Sequence, residues 1–340
     1  MRIFNLMLAR DRGGVESMAV RYHEALAADG FAVTSFGHPD GVLAKETPAS
    51  GFRPLVARFD YDPVAAARLF HAVHSLNPDL ILTHGGRAGG LSLLAAGGRR
   101  TVQVMHNQFF KSYTRGVRAG LCVSRSVYEA ARNAYPGLPL FETTNFTHLA
   151  ARPVKRPPSG PPVIGALGRL HEQKAFDTLL RALARLKAGG VPFSARIAGD
   201  GPERASLEAL RADLGLQAEV AFVGWVSPVD DFLAGLDLFA MPSHYEPFGL
   251  SLAEAVAAGV PAVASAIEGP AEILGGGRFG RLFANRDEAA LADALRAAMA
   301  DWPMTLRMAE AAQTHALATY SFEAGRRRLG SALGAILDGA

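Results

Sequence analysis

The chain predicts an α/β protein built of two similar halves, and three observations carry that expectation. Short apolar runs that read as strands alternate with amphipathic runs that read as helices, before and after residue 155. A proline-rich stretch from Arg152 to Pro162 interrupts the alternation once, and the same plan then resumes. At 340 residues the chain is also too long for one ordinary core. Strand and helix in regular alternation imply parallel sheets covered on both faces, whose ligands bind beyond the carboxyl ends of the strands. The expected architecture is two Rossmann-like domains facing each other across a cleft.

Taken in order, the first half reads as a strand at 3–8, a helix at 15–29 stopped by Gly30, and a strand at 31–36. A helix at 63–76 ends before Asn77-Pro78, where the proline disfavours a helical residue ahead of it. A strand at 80–83, a helix near 91–96, and strands at 101–105 and 121–123 follow. Five prolines between Arg152 and Pro162 forbid regular structure and make a stiff spacer. Beyond it come a strand at 163–167, a helix at 177–188 and a strand at 194–198. A helix at 203–214 stops at Gly215 before a strand at 220–223, and the last helix is expected at 322–337. The expected boundaries are 1–155, 156–320 and a terminal segment 321–340.

Composition narrows the function classes. Hydrophobic content of 49% with 20% charged residues is that of a water-facing globular chain, and no apolar run reaches the ~18 to 20 residues that span a bilayer. The opening run Met1 to Leu8 is short and closed by Arg10 and Asp11, so it reads as a first strand and not a signal peptide. One cysteine, Cys122, excludes an internal disulfide and fits a reducing cytoplasm. His71 and His74 lie one helical turn apart, but H-E-x-x-H and paired C-x-x-C spacings are absent, so no metal site is expected. The net charge of +3 divides unequally, +7 over residues 1–155 and −4 over 156–340. A basic half suits an anionic partner, and no nucleic-acid motif accompanies it.

The most informative stretch runs from His244 through Glu246, Phe248, Gly249, Leu250 and Ser251 to Glu254. It leaves an apolar strand at 236–241 and enters a helix that ends near Gly259. Such a turn aims free backbone N–H groups and the positive end of a helix outward, which suits a phosphate. Glu246 before the turn and Glu254 inside the helix then flank that anion with carboxylates that accept from hydroxyl groups, the layout for gripping a nucleotide sugar. A second reading stays open: Ser251 and Glu254 form an S-x-x-E capping box that only ties down the helix start.

Other candidates also sit at strand ends. Gly168 to Lys174 follows the first strand of the second half, and its Arg169 and Lys174 suit a leaving diphosphate. Breaking a sugar–diphosphate bond builds negative charge that two fixed cations offset, Arg as a planar fork and Lys as a compact point charge. Gly13-Gly14-Val15-Glu16 occupies the matching turn of the first half, where two glycines let backbone N–H groups approach a phosphate. It is not G-x-G-x-x-G, so no dehydrogenase reading follows, and a ligand-free loop would read the same way. Gly199 and Gly224 each follow a strand of the second half, and Trp225 reads either as a ligand neighbour or as a packing aromatic. His106 ends the strand at 101–105, a ligand contact or a hydrogen-bonded structural histidine, and His84 ends the preceding strand, placed to reach an acceptor. Between Gln108 and Arg118, Phe109, Phe110 and Tyr113 interleave with Lys111, Arg115 and Arg118. Aromatic rings favour the headgroup layer and cations an anionic leaflet, so a membrane surface or phosphorylated glycolipid is one reading. A solvated loop with rings packed inward is the other.

Glu246 and Glu254 stand eight positions apart, and this E-x7-E pair with the run Ala257 to Ser265 resembles the retaining family-4 glycosyltransferases of the GT-B fold, glycosyltransferase group 1. Gly168 to Lys174 resembles that family's G-R-L-x-x-x-K loop, and Gly13 to Glu16 its G-G-x-E loop; Ala175 departs from the family's usual glycine. The resemblance implies a donor-binding second domain, an acceptor-binding first domain and a final helix that crosses back onto the first. It implies a donor site of Gly13, Gly14, Arg169, Lys174, Gly199, Gly224, Trp225, Phe248, Gly249 and Leu250, with Glu254 on the ribose hydroxyls. Glu246 would orient the sugar, His106 would contact it, and Glu16, His84, Lys111 and Arg115 would lie toward the acceptor. The donor phosphate itself would take the acceptor proton. No cofactor and no metal is expected, since Arg169, Lys174 and helix N-termini stand in its place. The expected protein is a cytoplasmic glycosyltransferase that moves a sugar from a nucleoside-diphosphate sugar to a glycan, glycolipid or other hydroxyl acceptor, with peripheral contact to an anionic membrane at its inner face. The alternatives are a sugar-nucleotide epimerase on the same fold and a non-catalytic nucleotide-sugar-binding protein. Nucleic acid is not an expected partner.

Overall fold

Seven strands make the sheet of the first compact unit in the computed structural model, which describes residues 1–10, 13–154 and 157–339. They are β1 Arg2–Met7, β2 Ala32–Gly37, β3 Phe52–Pro54, β4 Leu80–His84, β5 Thr101–Met105, β6 Ala119–Cys122 and β7 Leu140–Glu142. All pair in parallel in the order β3-β2-β1-β4-β5-β6-β7. The second unit carries β8 Val163–Leu167, β9 Ser194–Ala198, β10 Val220–Gly224, β11 Leu238–Met241, β12 Ala262–Ser265 and β13 Arg281–Phe283. These are parallel too, in the order β10-β9-β8-β11-β12-β13. Each sheet grows outward from its first strand, then returns to that strand's other side. The order reverses between β1 and β4 and between β8 and β11, where Rossmann-like sheets open a crevice for ligands.

Local sequence explains most element ends. Helix Pro63–Leu76 lies where its periodicity places it: the Asp62 carboxylate accepts from Val64 N at 2.9 Å and Ala65 N at 3.2 Å, Pro63 fills the first position, and Asn77 takes a left-handed φ at the close. β5, β8, β9 and helix Phe322–Leu337 also match their expected spans. The helix read near 91–96 begins earlier, as Gly86–Ala96, because Gly85 at φ +82° turns the chain directly out of β4. The helix Val42–Glu46 and the strands β3, β7, β12 and β13 show no readable signal, the four strands spanning only three or four residues each, too few for a period. Helix Arg125–Ala134, absent from the expected elements, does carry a signal: Ser124 caps it, accepting from Val127 N at 3.4 Å, and the buried Val127 and Ala131 lie one turn apart.

The chain divides at Thr147/His148 and again at Thr319/Tyr320, the first division falling ahead of the proline-rich stretch. The last helix explains that position. Phe146 is fully buried against Gly325, where a Cβ would lie 1.9 Å from its ring, and Thr147 pairs with Ser321 in a parallel bridge. Arg326 Nη1 donates to Asp29 Oδ1 at 2.8 Å, which ties Phe322–Leu337 to the end of helix Gly14–Ala28. Residues 148–154 and 157–162 hold no helix or strand, and Lys155 and Arg156 of the expected linker lie outside the described residues. His71 and His74 are exposed on their helix, and no cluster of three metal-ligating side chains occurs among the described residues. No helix among them is long and apolar enough to cross a membrane.

Candidate active site

The reversal point of the second sheet collects the strongest candidates. β8 runs into Gly168–Lys174, which ends in a 3₁₀ turn, Glu172–Lys174, before helix Phe176–Ala188. Ala175 holds φ +52° and ψ +43° between them, so it keeps the left-handed path of the family's usual glycine at roughly 1–2 kcal/mol. Backbone hydrogen bonds stitch this loop to its neighbours. Gly168 N donates to Ala198 O at 3.1 Å, Leu170 N to Asp200 O at 2.9 Å, and His244 N to Gln173 O at 2.8 Å. Gly199 N in turn donates to Gly224 O at 2.7 Å, joining the ends of β9 and β10. The result brings Lys174 against Glu246: the ammonium forms an ion pair with Oε2 of a carboxylate only 12% exposed. Arg169 is exposed and makes no hydrogen bond or ion pair among the described residues.

The turn after β11 is tied from three sides. Ser265 Oγ donates to Ser243 O at 2.6 Å, Asn285 Nδ2 to His244 O at 3.2 Å, and Gly269 N to Glu246 O at 3.2 Å. Phe248 is buried beneath it. Gly249, at φ +110°, is the N-cap of helix Leu250–Ala257, and both Leu252 N and Ala253 N donate to its carbonyl at 3.0 Å. Ser251 is therefore the second helical residue and Glu254 the fifth. The capping box does not form, because its serine would have to precede the helix. The N–H groups of Leu250 and Ser251 have no carbonyl one turn back to bond, and they open at the same end as Lys174 and Glu246.

Trp225 is 65% exposed beyond Gly224, so the packing reading does not hold for it. Its indole stands out from the carboxyl end of β10. In the first unit Gly13, extended at φ −154°, caps helix Gly14–Ala28, with Gly14 exposed and Glu16 in the first turn. Asp11 and Arg12 lie outside the described residues.

Of the two histidines, only His84 departs from its expected place. His84, at the end of β4, is 1% exposed: Nδ1 lies 2.9 Å from His106 Nε2, and Nε2 lies 2.9 Å from Asn5 Oδ1. Both ring nitrogens are occupied inside the protein, so His84 does not reach toward an acceptor and backs His106 instead. Tyr22 packs on the same ring, edge-on to His84 at 5.0 Å. Burial pushes the His106 imidazole down to about 3. Burial, then the neighbouring His106, holds His84 well below the usual histidine range, so both rings are neutral near pH 7. Asn5 was not among the expected site residues. Its signal was a lone amide in the apolar run Ile3-Phe4-Asn5-Leu6, in a strand covered on both faces.

The segment after His106 is only partly the surface its composition suggests. Phe109 is 69% exposed, and Lys111 and Arg115 are exposed. Phe110, by contrast, meets the Tyr135 ring edge-on at 5.6 Å, and Tyr113 packs over Gly89, where a Cβ would lie 2.6 Å from its ring. Arg118 donates to the carbonyls of Arg99 and Ile336, so it anchors the last helix and is not a free surface cation. Contacts with residues distant in sequence, which composition does not encode, divide the segment in this way.

Comparison with known proteins agrees with this geometry. Residues 149–315 match the family described as Glycosyl transferases group 1, and residues 12–139 match Glycosyltransferase Family 4. The lipopolysaccharide core biosynthesis glycosyltransferase LpsE of Rhizobium meliloti (strain 1021) is 29% identical over 335 residues, 95% of this chain and 96% of that protein. Among solved structures, Anabaena HepE in complex with UDP-glucose has a TM-score of 0.82 at 21% identity, over 98% of this chain and 100% of that one. The lipopolysaccharide outer core galactosyltransferase WaaB in its apo form has a TM-score of 0.76 at 16% identity, over 98% and 99%. With two family matches in chain order, two Rossmann-like sheets and a cationic loop and carboxylate meeting where the second sheet reverses, the chain belongs to the group 1, family-4 glycosyltransferases and has their GT-B fold.

Proposed function

We propose that this glycosyltransferase takes its sugar from a nucleoside-diphosphate donor held by the second unit and passes it to a hydroxyl acceptor with retention of anomeric configuration. The observation that carries the reading is the Lys174–Glu246 contact beside the uncommitted Arg169, at the reversal point of the second sheet. A diphosphate there meets Arg169 and draws Lys174 away from Glu246, which releases that carboxylate to accept from sugar hydroxyls. The leaving diphosphate develops charge between two cations and the first N–H groups of helix Leu250–Ala257. The site supplies these charges from its own residues, so the proposal includes independence from metal. That HepE was crystallised with UDP and with UDP-glucose supports a uridine donor as the first choice, and LpsE supports a lipopolysaccharide-type acceptor.

The test is a panel of nucleoside-diphosphate sugars in EDTA-containing buffer with glycan and glycolipid acceptors. Free nucleoside diphosphate and a new glycoside with the donor's anomeric configuration are expected. An isomerised sugar nucleotide without diphosphate release would mark an epimerase, and binding without turnover a carrier. Loss of activity on chelation would remove the metal-free site.

Glu254 and Glu246 separate in this scheme. Glu254→Gln is expected to weaken nucleoside-diphosphate binding with kcat nearly kept, because ribose lies away from the reacting bond, whereas Glu246→Gln is expected to lower kcat. Calorimetry with the free nucleotide and steady-state kinetics check the pair. Unchanged affinity in the Glu254 variant would take that residue out of the donor site.

Membrane contact belongs to the proposal as well. Phe109, Lys111 and Arg115 are its exposed residues, in the unit that holds most of the basic half. Each cation near an anionic leaflet contributes about 1 kcal/mol. Sedimentation with anionic vesicles is expected to fall severalfold in Lys111→Ser/Arg115→Ser and on raising salt. Equal binding to neutral and anionic vesicles, or none to either, would leave an acceptor met in solution.

A further inference from the structure

The hydrogen bonds behind His106 run in one direction only. Asn5 Nδ2 lies 2.8 Å from Ala19 O and 3.1 Å from Ser35 Oγ, and all three residues are fully buried. A backbone carbonyl only accepts, so the Asn5 amide group must face it, and its carbonyl oxygen faces His84. An amide oxygen likewise only accepts, so His84 Nε2 carries the proton and donates to Asn5 Oδ1. His84 is neutral, hence its Nδ1 is a bare lone pair. The 2.9 Å contact from that lone pair to His106 is a hydrogen bond only if His106 Nε2 donates. His106, also neutral, is then left with a lone pair on Nδ1, which has no partner among the described residues. Ser35 completes the other branch: it accepts from Asn5 and lies 2.9 Å from Nδ1 of the buried His23. Each link from Asn5 to His106 uses one proton.

We propose that Asn5 and His84 are positioning residues that lock His106 as the Nε2–H tautomer, presenting Nδ1 as an obligate hydrogen-bond acceptor for a substrate hydroxyl. The arrangement excludes phosphate as the group met at Nδ1, since a neutral lone pair repels an anion that has no proton to donate. It selects a sugar hydroxyl. This deepens the glycosyl-transfer reading and rests on it for the identity of the ligand, but the tautomer itself does not. His84 acts without touching substrate, holding the ring plane of His106 by one hydrogen bond and its electronic state by the same bond.

Nitrogen-15 NMR of the full-length, histidine-labelled protein at neutral pH tests this without substrate. The His106 signals are assigned by their absence in His106→Gln. The wild type is expected to show one tautomer, with a protonated, pyrrole-type Nε2 and a bare, pyridine-type Nδ1. A protonated Nδ1, or averaged shifts from tautomer exchange, overturns the proposal whatever the activity is. Asn5→Leu removes the oxygen that keeps the proton on His84 Nε2. In that variant His84 can donate from Nδ1, and His106 is expected to gain an Nδ1–H population while kcat falls and nucleoside-diphosphate affinity stays. A variant whose His106 signals match the wild type overturns the relay, even if its activity drops. Should Asn5→Leu fail to fold, the wild-type spectrum alone still decides. A correct tautomer with no sugar transfer would sink the proposed function and leave the relay standing.

Discussion

Lys174→Ala and Arg169→Ala are each expected to lower kcat by about 10²–10³-fold, with a smaller change in donor KM. In the proposed reaction each cation faces charge that grows as the sugar–diphosphate bond breaks, and losing one preorganised stabilising group of this kind typically removes about 3–4 kcal/mol from the transition state. The two residues differ in what they leave behind. Arg169 is uncommitted, so its removal disturbs little in the resting protein. Lys174 is paired with the largely buried Glu246, so its removal also strips that carboxylate of its cation. A double variant separates the two effects. If Lys174 only holds Glu246 in place, Lys174→Ala in a Glu246→Gln background will be no slower than Glu246→Gln alone. If Lys174 offsets leaving-group charge, most of its loss persists there. Steady-state kinetics at saturating donor read the answer, and unchanged kcat in both single variants would remove these residues from the chemistry.

Gly199→Val is expected to destabilise the second unit by about 3 kcal/mol. The residue sits at φ +123°, where an L side chain is strained by roughly 1–2 kcal/mol, and its Cβ would fall 1.9 Å from Gly168 O. That contact is with backbone, so no rotamer relieves it, and overpacking of this kind adds about 1–3 kcal/mol. For a unit of this size the loss corresponds to a fall in Tm of roughly 6–12 °C. Gly190→Ala is the control. Its φ of +70° carries the backbone strain, but nothing lies within 4 Å of the added carbon. Calorimetry of both variants is expected to show the larger loss at Gly199, together with reduced activity as Gly168 and Arg169 move. Equal transitions in the two variants would mean that the loop yields freely and does not hold the cations in register.

Much of this protein was legible in the order of its residues. Long elements with a clear period and strong ends, such as Pro63–Leu76 between Asp62 and Asn77-Pro78, declare themselves because helix starts and stops are local chemistry. The strand-turn-helix turns at Gly168–Lys174 and Glu246–Gly249 were legible for the same reason: their form lies in backbone shape and residue type over a dozen positions. Tertiary structure decided the rest. Whether Ser251 caps a helix depends on which residue the helix starts from, and Gly249 takes that place through a turn tied to Ser265, Gly269 and Asn285. Whether a cation is free depends on what folds back onto it, which separates Arg115 from Arg118 three residues away. The role of His84 was out of reach of any local pattern. Its partners stand 79 and 22 residues away, brought together only because β1, β4 and β5 are neighbours in one parallel sheet. Local residue chemistry determined which strands and turns could form; the burial of polar groups, and therefore their proton positions, was set by contacts between strands distant in sequence.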